Sequence, residues 1–324
     1  MDRRSALAIG AGAVIGAATG RVWAQGYPSK PVTFIVPFAP GGSTDMAARA
    51  LAIPLAEILG QPVVIDNRTG AGGAVGTAAV SRAVPDGHTL LLAPASVMAS
   101  LPLTMKTHYK RQDFIPVSLA AKTSLILVIR AGDTRFRTLE ELAALARSQE
   151  GRVNAGNPAP GSPNHIGLLQ LEQAFKCKFN SIPYRGSAPA LADLLGGTLD
   201  IYFDQISSSM QHLKAGTLRA LVVFSPTRDP SLPELKTSAQ LGLGEIDATT
   251  YTGVFAPKGT KADVVARLNA AIKLASQDPV TTKILTDAGS VSTASSAADF
   301  ERIIKSEEDL VKGFIKEGRL EGVT

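Results

Sequence analysis

V-T-F-I-V-P-F-A-P-G-G-S-T-D-M-A-A-R-A, residues Val32 to Ala50, is the stretch whose reading decides the fold. Val32 to Val36 are consecutive apolar or β-branched residues, the pattern of a short buried strand. Pro37 to Gly42 then breaks the run with Pro37, Pro40, Gly41 and Gly42. Ser43, Thr44 or Asp45 can each cap a helix start, and the Ala-rich run beyond favours a helix. Strand, glycine-bearing turn and helix N-terminus together make an anion site, because the first-turn N–H groups lack intrahelical partners and the dipole end is positive. A plain turn into a capped helix fits the same residues, and the sequence alone leaves both readings open.

Outward from this stretch the theme repeats. Gly60 ends the first helix, which carries Pro54 as an expected kink. Pro62 to Asp66 reads as a second strand. Asn67 to Gly76, N-R-T-G-A-G-G-A-V-G, is a second glycine-rich loop before a short helix over Thr77 to Val84, and Thr89 to Ala93 is a third buried strand. Strand–loop–helix repetition predicts a parallel α/β sheet, with ligands beyond the carboxyl ends of its strands.

A second block follows. Ser124 to Arg130 is a continuous apolar strand, and Thr138 to Glu141 forms a capping box for a helix to Ser148. Val153 to Ala155, the Gly/Pro loop from Gly156 to Pro163 and a helix over Asn164 to Phe175 restate the opening pattern. Helices over Ala188 to Leu195 and Ile206 to Lys214, and strands over Leu199 to Phe203 and Leu218 to Phe224, complete the block. Thr250 to Ala256 is extended, and helices over Lys261 to Ser276, Val280 to Asp287 and Ala297 to Lys316 close the chain. The middle block is a complete α/β unit inserted into another. The expected organisation is lobe 1 over residues 26–124 and 250–324, and lobe 2 over residues 125–249, with two chain crossings and a ligand cleft between the lobes.

Residues 1–25 read as a signal peptide: Arg3 and Arg4, a small-residue apolar run from Ala6 to Ala18, and Val22-Trp23-Ala24 as an expected cleavage site near Ala24. Export to the periplasm follows, by the general secretory route or, as the Arg pair allows, the twin-Arg route. The run is too short and too rich in Gly and Ala to anchor a membrane. About 300 residues remain, enough for two domains. The chain has 45% hydrophobic and 19% charged residues, which excludes a disordered protein. Aromatic content of 5% argues against an aromatic-lined sugar or nucleic-acid groove. The net charge of +5 falls to +3 once Arg3, Arg4, Arg21 and Asp2 of the leader are set aside. The basic residues are scattered, unlike a nucleic-acid binder's stripe. Cys177 is alone, so no intrachain disulfide is expected.

No catalytic constellation is present in the sequence. His88, His108, His165 and His212 are isolated, without metal-ligand spacing, and no G-x-S-x-G elbow or Walker lysine occurs. Neither a metal nor a cofactor is expected. Gly70 to Gly76 is a near miss to the dinucleotide fingerprint, but it follows the second strand. Asp204, at a strand end, reads as a loop carboxylate or as an acceptor for a ligand amine, amide or hydroxyl. Arg185 reads as a solvated cation or as a counter-charge for a ligand carboxylate.

Taken in order, Tyr27-Pro28-x-Lys30-Pro31, P-F-A-P-G-G-S-T-D-x-x-A-R from Pro37 to Arg49, N-R-T-G-A-G-G-A-V-G, Pro85-Asp86-Gly87, Asp113-Phe114-x-Pro116-Val117, Pro183-Tyr184-Arg185-Gly186 and Gly253-x-Phe255-x-Pro257-x-Gly259-Thr260 resemble the Bug receptors. Those are periplasmic solute-binding proteins of the tripartite tricarboxylate transporter class. The resemblance implies a two-lobed α/β periplasmic binding protein fold of type II, the Venus flytrap. It implies a monomeric receptor that binds a small carboxylate and passes it to membrane permease subunits, with no nucleic acid involved. A clamshell that signals to a membrane partner, or a carboxylate-processing enzyme with Asp204 or Asp45 as base, are the alternatives. It further implies a ligand carboxylate held by main-chain N–H groups and waters on two loops, Phe38, Ala39, Pro40, Gly41, Gly42, Ser43 and Asp45 in one, Gly70, Ala71, Gly72 and Gly73 in the other. Ala93 to Ser96, the loop from Asn157 through Ser162 to His165, Arg185, Gly186 and Asp204 would complete the pocket. His88 stands where the family usually has Tyr and Arg185 where Lys is usual, and Asn157-Pro158-Ala159-Pro160 is richer in proline than typical. That loop would read the far end of the ligand.

Overall fold

The computed structural model describes residues 26–157, 161–244, 246 and 248–323. The expected leader and residues 158–160 of the second-lobe loop lie outside them. In chain order the elements are β1 (Val32–Val36), α1 (Ser43–Leu59), β2 (Val63–Asn67), α2 (Ala74–Ser81), β3 (Thr89–Pro94), α3 (Ser96–Ala99), α4 (Leu101–Thr104) and β4 (Phe114–Arg130). They continue with α5 (Leu139–Ser148), β5 (Asn154–Asn157), α6 (Pro163–Phe175), β6 (Asn180–Pro183), α7 (Ser187–Gly196), β7 (Ile201–Gln205), α8 (Ile206–Lys214) and β8 (Leu218–Phe224). The last are β9 (Thr249–Pro257), α9 (Ala262–Gln277), α10 (Pro279–Asp287), β10 (Val291–Ser292) and α11 (Ala297–Lys316).

β1 pairs in parallel with β2 and β3, as the strand–loop–helix repeat predicts. β9 then lies antiparallel between β3 and β4. The pleat sorts β1 cleanly. Phe34 and Val36 pack with Leu51 and Leu55 of α1 and Leu268 and Ile272 of α9, while Ile35 faces Phe255, Phe300 and Ile304 on the opposite side. Both faces are therefore covered at β1 and β3, which explains why these two strands read as apolar runs.

β4 is the structural surprise. The sequence reading ends at a strand over Ser124–Arg130, but the strand begins at Phe114 and runs for 17 residues. Pro116, Lys122, Thr123 and Ser124 hide its first half from any apolar-run criterion. That half pairs with β9 from Phe114↔Pro257 to Ser124↔Thr249. From Leu125 onward β4 instead pairs with β7 and β8. The strand partners change between Ser124 and Leu125, where Leu125 N still donates to Ala248 O at 3.2 Å.

In the second sheet, β5 lies parallel to β6 and β7. Leu125, Leu127 and Ile129 pack under α5 and α6, while Ile126 and Val128 pack under α7 and α8. Between the lobes, Ile166 of α6 is buried against Val311 and Phe314 of α11. The result is a two-lobed α/β fold.

Candidate functional site

The first loop ends in an open helix start. Ser43, Thr44 and Asp45 were each a possible cap, yet the N-cap of α1 is Gly42, with no side-chain cap hydrogen bond. The Asp45 carboxylate is drawn elsewhere. It accepts from Gly41 N at 2.9 Å, Arg49 Nε at 2.9 Å and Asn67 Nδ2 at 3.0 Å. Asn67 Nδ2 also donates to Phe38 O at 3.0 Å. Asp45 thus fixes the curl of the loop from Phe38 to Gly42 and joins it to the end of β2, leaving the start of α1 with no side-chain cap among the described residues.

The second loop wraps against the first. Gly70, Ala71, Gly72 and Gly73 all have positive φ, at 137°, 46°, 62° and 103°. Three glycines in this run are explained by the absence of a Cβ penalty in that region. A Cβ on Gly73 would also stand 3.3 Å from Phe38 Cζ and 3.4 Å from Pro37 Cβ, so the two loops are packed together.

The second lobe faces them with the starts of α6, α7 and α8. Ser162 caps α6 by accepting from His165 N at 3.2 Å, and His165 Nδ1 accepts from Gly161 N at 3.0 Å. Burial holds the His165 imidazole below its ordinary pKa, which keeps it neutral and able to accept that bond. A Cβ on Gly186 would lie 3.8 Å from Ala39 N, and one on Gly161 would lie 2.9 Å from Thr104 Cγ2, so the lobes are in contact here.

Between them lies a cavity of about 50 Å³. Its lobe 1 wall includes Phe38, Ala39, Gly42, Ser43, Thr44, Gly72, Pro94, Ser96, Val97 and Ser100; its lobe 2 wall includes Ser162, Pro163, Asn164, Gly186, Ser187 and Gln205, with Thr250 of β9 beside them. Among the described residues lining it, none is charged at neutral pH. An anion here would be held by amides, hydroxyls and helix ends rather than by a cation.

One wall residue leads to a titrating group. Ser100 Oγ donates to Glu307 Oε1 of α11 at 3.3 Å. Burial pushes the Glu307 carboxyl up to about 7, while Arg111 is held by Glu301 and Glu308 instead. The folded protein therefore keeps a proton that the unfolded chain releases near the ordinary glutamate value. The stability this contributes is complete below about pH 4.5 and is lost as pH rises through about 7. Urea unfolding across that range should show the free energy falling by about 1–3 kcal/mol, with Glu307→Gln flattening the slope. An unchanged slope in the variant would remove Glu307 as its source.

The family model described as the tripartite tricarboxylate transporter family receptor, TctC, matches residues 47–320. The chain belongs to that receptor family. The receptor is 39% identical over 259 residues to the BugT protein of Bordetella pertussis, covering 79% of each chain. MatC from Rhodopseudomonas palustris, solved with bound malate, is 33% identical with a TM-score of 0.81, covering 88% of this receptor and 100% of that chain. Another R. palustris protein, solved with adipate, is 30% identical with a TM-score of 0.85, covering 90% of this receptor and 97% of that chain. These are solute-binding relatives of the Bug type, as the resemblance implied.

Several residues singled out in the sequence meet at the cavity of this receptor: Phe38, Ala39, Gly42, Ser43, Gly72, Ser96, Ser162 and Gly186. Others stand behind it. Asp45 and His165 brace the loops, Gly70 and Gly73 shape the second turn, and Ala93 is buried in β3. Pro40, Gly41 and Ala71 are on the exposed side of their loops, and Arg185 is exposed and off the lining. Asn157 is buried, donating to Ser181 Oγ at 2.6 Å. Asp204 is fully buried and also off the lining. The pleat explains Asp204: it shares the face of Tyr202, and the next residue, Gln205, turns to the cavity. Thr44 and Asn164 line it from within the two loops already named, whereas Val97, Ser100, Leu101, Ser187, Gln205 and Thr250 were missed, and only adjacency to Ser96, Gly186 and Asp204 signalled any of them.

Proposed function

We propose that this receptor captures a small carboxylate between its lobes and delivers it to membrane permease subunits without performing chemistry on it. The observation that carries this is the uncapped start of α1 at Gly42, opening on a cavity whose described lining has no charged side chain. Several charge-assisted hydrogen bonds of about 1.5–3 kcal/mol each suffice for micromolar binding without an arginine clamp. The malate and adipate held by the two R. palustris relatives support the carboxylate class. The lobes are residues 26–124 with 250–324, and residues 125–249. The binding loops are Phe38 to Asp45, Gly70 to Gly73, Ala93 to Ser96 and Asn157 to His165. In this reading residues 1–25 direct the chain to the periplasm and are removed near Ala24, and the mature protein works as a monomer. Asp45 and Asp204, the two candidate bases, are each saturated by hydrogen bonds away from the lining, which supports a binding role over an enzymatic one.

Calorimetry and thermal-shift measurements with mono- and dicarboxylates test it, since a ligand at 100 times its Kd stabilises the fold by about 2.7 kcal/mol. No stabilisation by any carboxylate would sink the proposal. Gly42→Val is the matching variant. Gly42 has an ordinary φ of −79°, and a Cβ there meets only Ala39 O at 3.6 Å, so the fold should tolerate it. Its branched side chain stands on the lining, so affinity should fall at least tenfold with the melting temperature of the unliganded protein little changed. Wild-type affinity would remove the first loop as the cradle.

A further inference from the structure

Glu307 is a carboxyl that holding the ligand does not by itself require. It sits on α11, where its Oε1 accepts from Ser100 Oγ at 3.3 Å. Ser100 is 1% exposed and stands between two surroundings. Behind it is Glu307. In front it lines the cavity, and a Cβ on Gly161 of lobe 2 would lie 3.3 Å from Ser100 Cβ. Ser100 thus joins a titratable group to the place where a ligand carboxylate arrives.

Among the described residues, the segments packed around Glu307 bring it no counter-charge. α3 and α4, residues 96–104 with Ser100 between them, carry no charged side chain. In the connection to β4, Arg111 is held by Glu301 and Glu308, Tyr109 OH donates to Val97 O, and Lys106, His108 and Lys110 are exposed. The first half of β4 contributes only Lys122, also exposed. From α6 of lobe 2 come His165, which accepts from Gly161 N, and Glu172, which is taken by Lys178 and Phe179 N. On α11 itself, Lys312 pairs with Glu308 and Arg302 with Asp299, while Lys305 and Asp309 are exposed. Burial and the Ser100 hydroxyl are what set the titration of Glu307, near neutrality.

Counting protons shows what this does to the wall. Ser100 has one hydroxyl proton. An ionised Glu307 can only accept, so it draws that proton to Oε1 and leaves a bare oxygen toward the cavity. A protonated Glu307 has a proton of its own to donate to Ser100 Oγ, which turns the serine proton toward the cavity. A ligand carboxylate needs the second arrangement, because a bare oxygen and a buried negative charge both repel it.

We propose that Ser100 Oγ is a ligand donor, that Glu307 is the positioning residue that directs its proton, and that capture of a carboxylate draws a proton from solvent onto Glu307. This deepens the carboxylate-receptor reading and rests on it. The bound anion favours the protonated form of Glu307. Affinity is therefore full below about pH 7 and falls as pH rises beyond it, by up to about tenfold per pH unit.

The test is calorimetry on the mature protein with malate, adipate, succinate and propionate, at about pH 6.5 and 8.5, in two buffers of different ionisation enthalpy. These acids are ionised across the range, and burial keeps His165 neutral, so neither supplies the titration. The tightest of them should bind about tenfold or more weaker at the higher pH, with about half to one proton taken up per ligand there. Glu307→Gln puts a permanent donor behind Ser100. It should bind at the higher pH at least about tenfold tighter than wild type and take up no proton. Ser100→Ala should lose about fivefold or more at the lower pH and little at the higher one. Equal affinity at the two pH values with no proton uptake would overturn the inference while leaving the carboxylate receptor intact. So would a wild-type pH profile in either variant, each checked for folding by its melting curve. Binding of none of these acids at either pH would fail the underlying function, and this inference with it.

Discussion

Asp45→Ala is expected to weaken ligand binding at least about a hundredfold and to lower the unfolding free energy by about 3 kcal/mol. The residue is 3% exposed, and its carboxylate gathers Gly41 N, Arg49 Nε and Asn67 Nδ2 into one knot. Burial alone would raise its pKa, but Arg49, the Gly41 amide and Asn67 together hold it below the usual carboxylate value. Its contribution is accordingly present above the ordinary aspartate value and lost as pH falls through the depressed one. Removing the carboxylate takes the partner from the Gly41 amide, breaks the ties to Arg49 and Asn67 and loosens the loop from Phe38 to Gly42, so the amides at the α1 start lose their orientation. Urea unfolding and calorimetry on the same preparation separate the two effects. Full affinity with reduced stability would show that the loop keeps its shape by packing against Gly73 alone.

Gly253→Ala is expected to be the more damaging change to the fold, lowering stability by about 3 kcal/mol with little direct effect on the ligand contacts. Gly253 sits in β9 opposite both Ala93 of β3 and Leu119 of β4. A methyl group there would come 2.4 Å from Phe300 Cε1, 2.5 Å from Phe300 Cζ and 2.6 Å from Ser118 O. The ring cannot retreat easily, because Phe300 is fully buried and packs on Phe255 at 4.9 Å between centroids. The backbone carbonyl cannot retreat without disturbing β4. A thermal melt reads the result; a melting temperature within a degree or two of wild type would mean that α11 shifts away freely. Gly253→Ala with Phe300→Leu should recover part of the loss by shortening the obstructing side chain.

Much of the architecture was readable because its signals are local. Val32 to Val36, the break at Pro37 to Gly42 and the Ala-rich run gave β1 and α1, since each depends on residues close in sequence. The first half of β4 was not readable. Its partners are β9 and β10, more than a hundred residues away, and its Ser118, Lys122 and Thr123 look like loop residues until those partners are known. The helix start misled in the opposite direction. Three capping residues in a row predicted a capped end, but Asn67 and Arg49 claim the Asp45 side chain, which only the folded chain reveals. At the cavity, glycine-rich loops announced the lobe 1 wall. Gln205, Ser187 and Thr250 belong to no motif, and what they offer a ligand depends on who holds each proton.

β9 lies between β3 and β4 in the first sheet, yet it is the last of the three to be made. Until residues 249–257 leave the ribosome, β3 and β4 present unpaired edges with no neighbour to close them. Such high contact order makes assembly slow and leaves an early chain open to edge-to-edge association. The second sheet has no such dependence, since β4 to β8 are made consecutively. The second sheet can thus form first and serve as the template on which the first one closes.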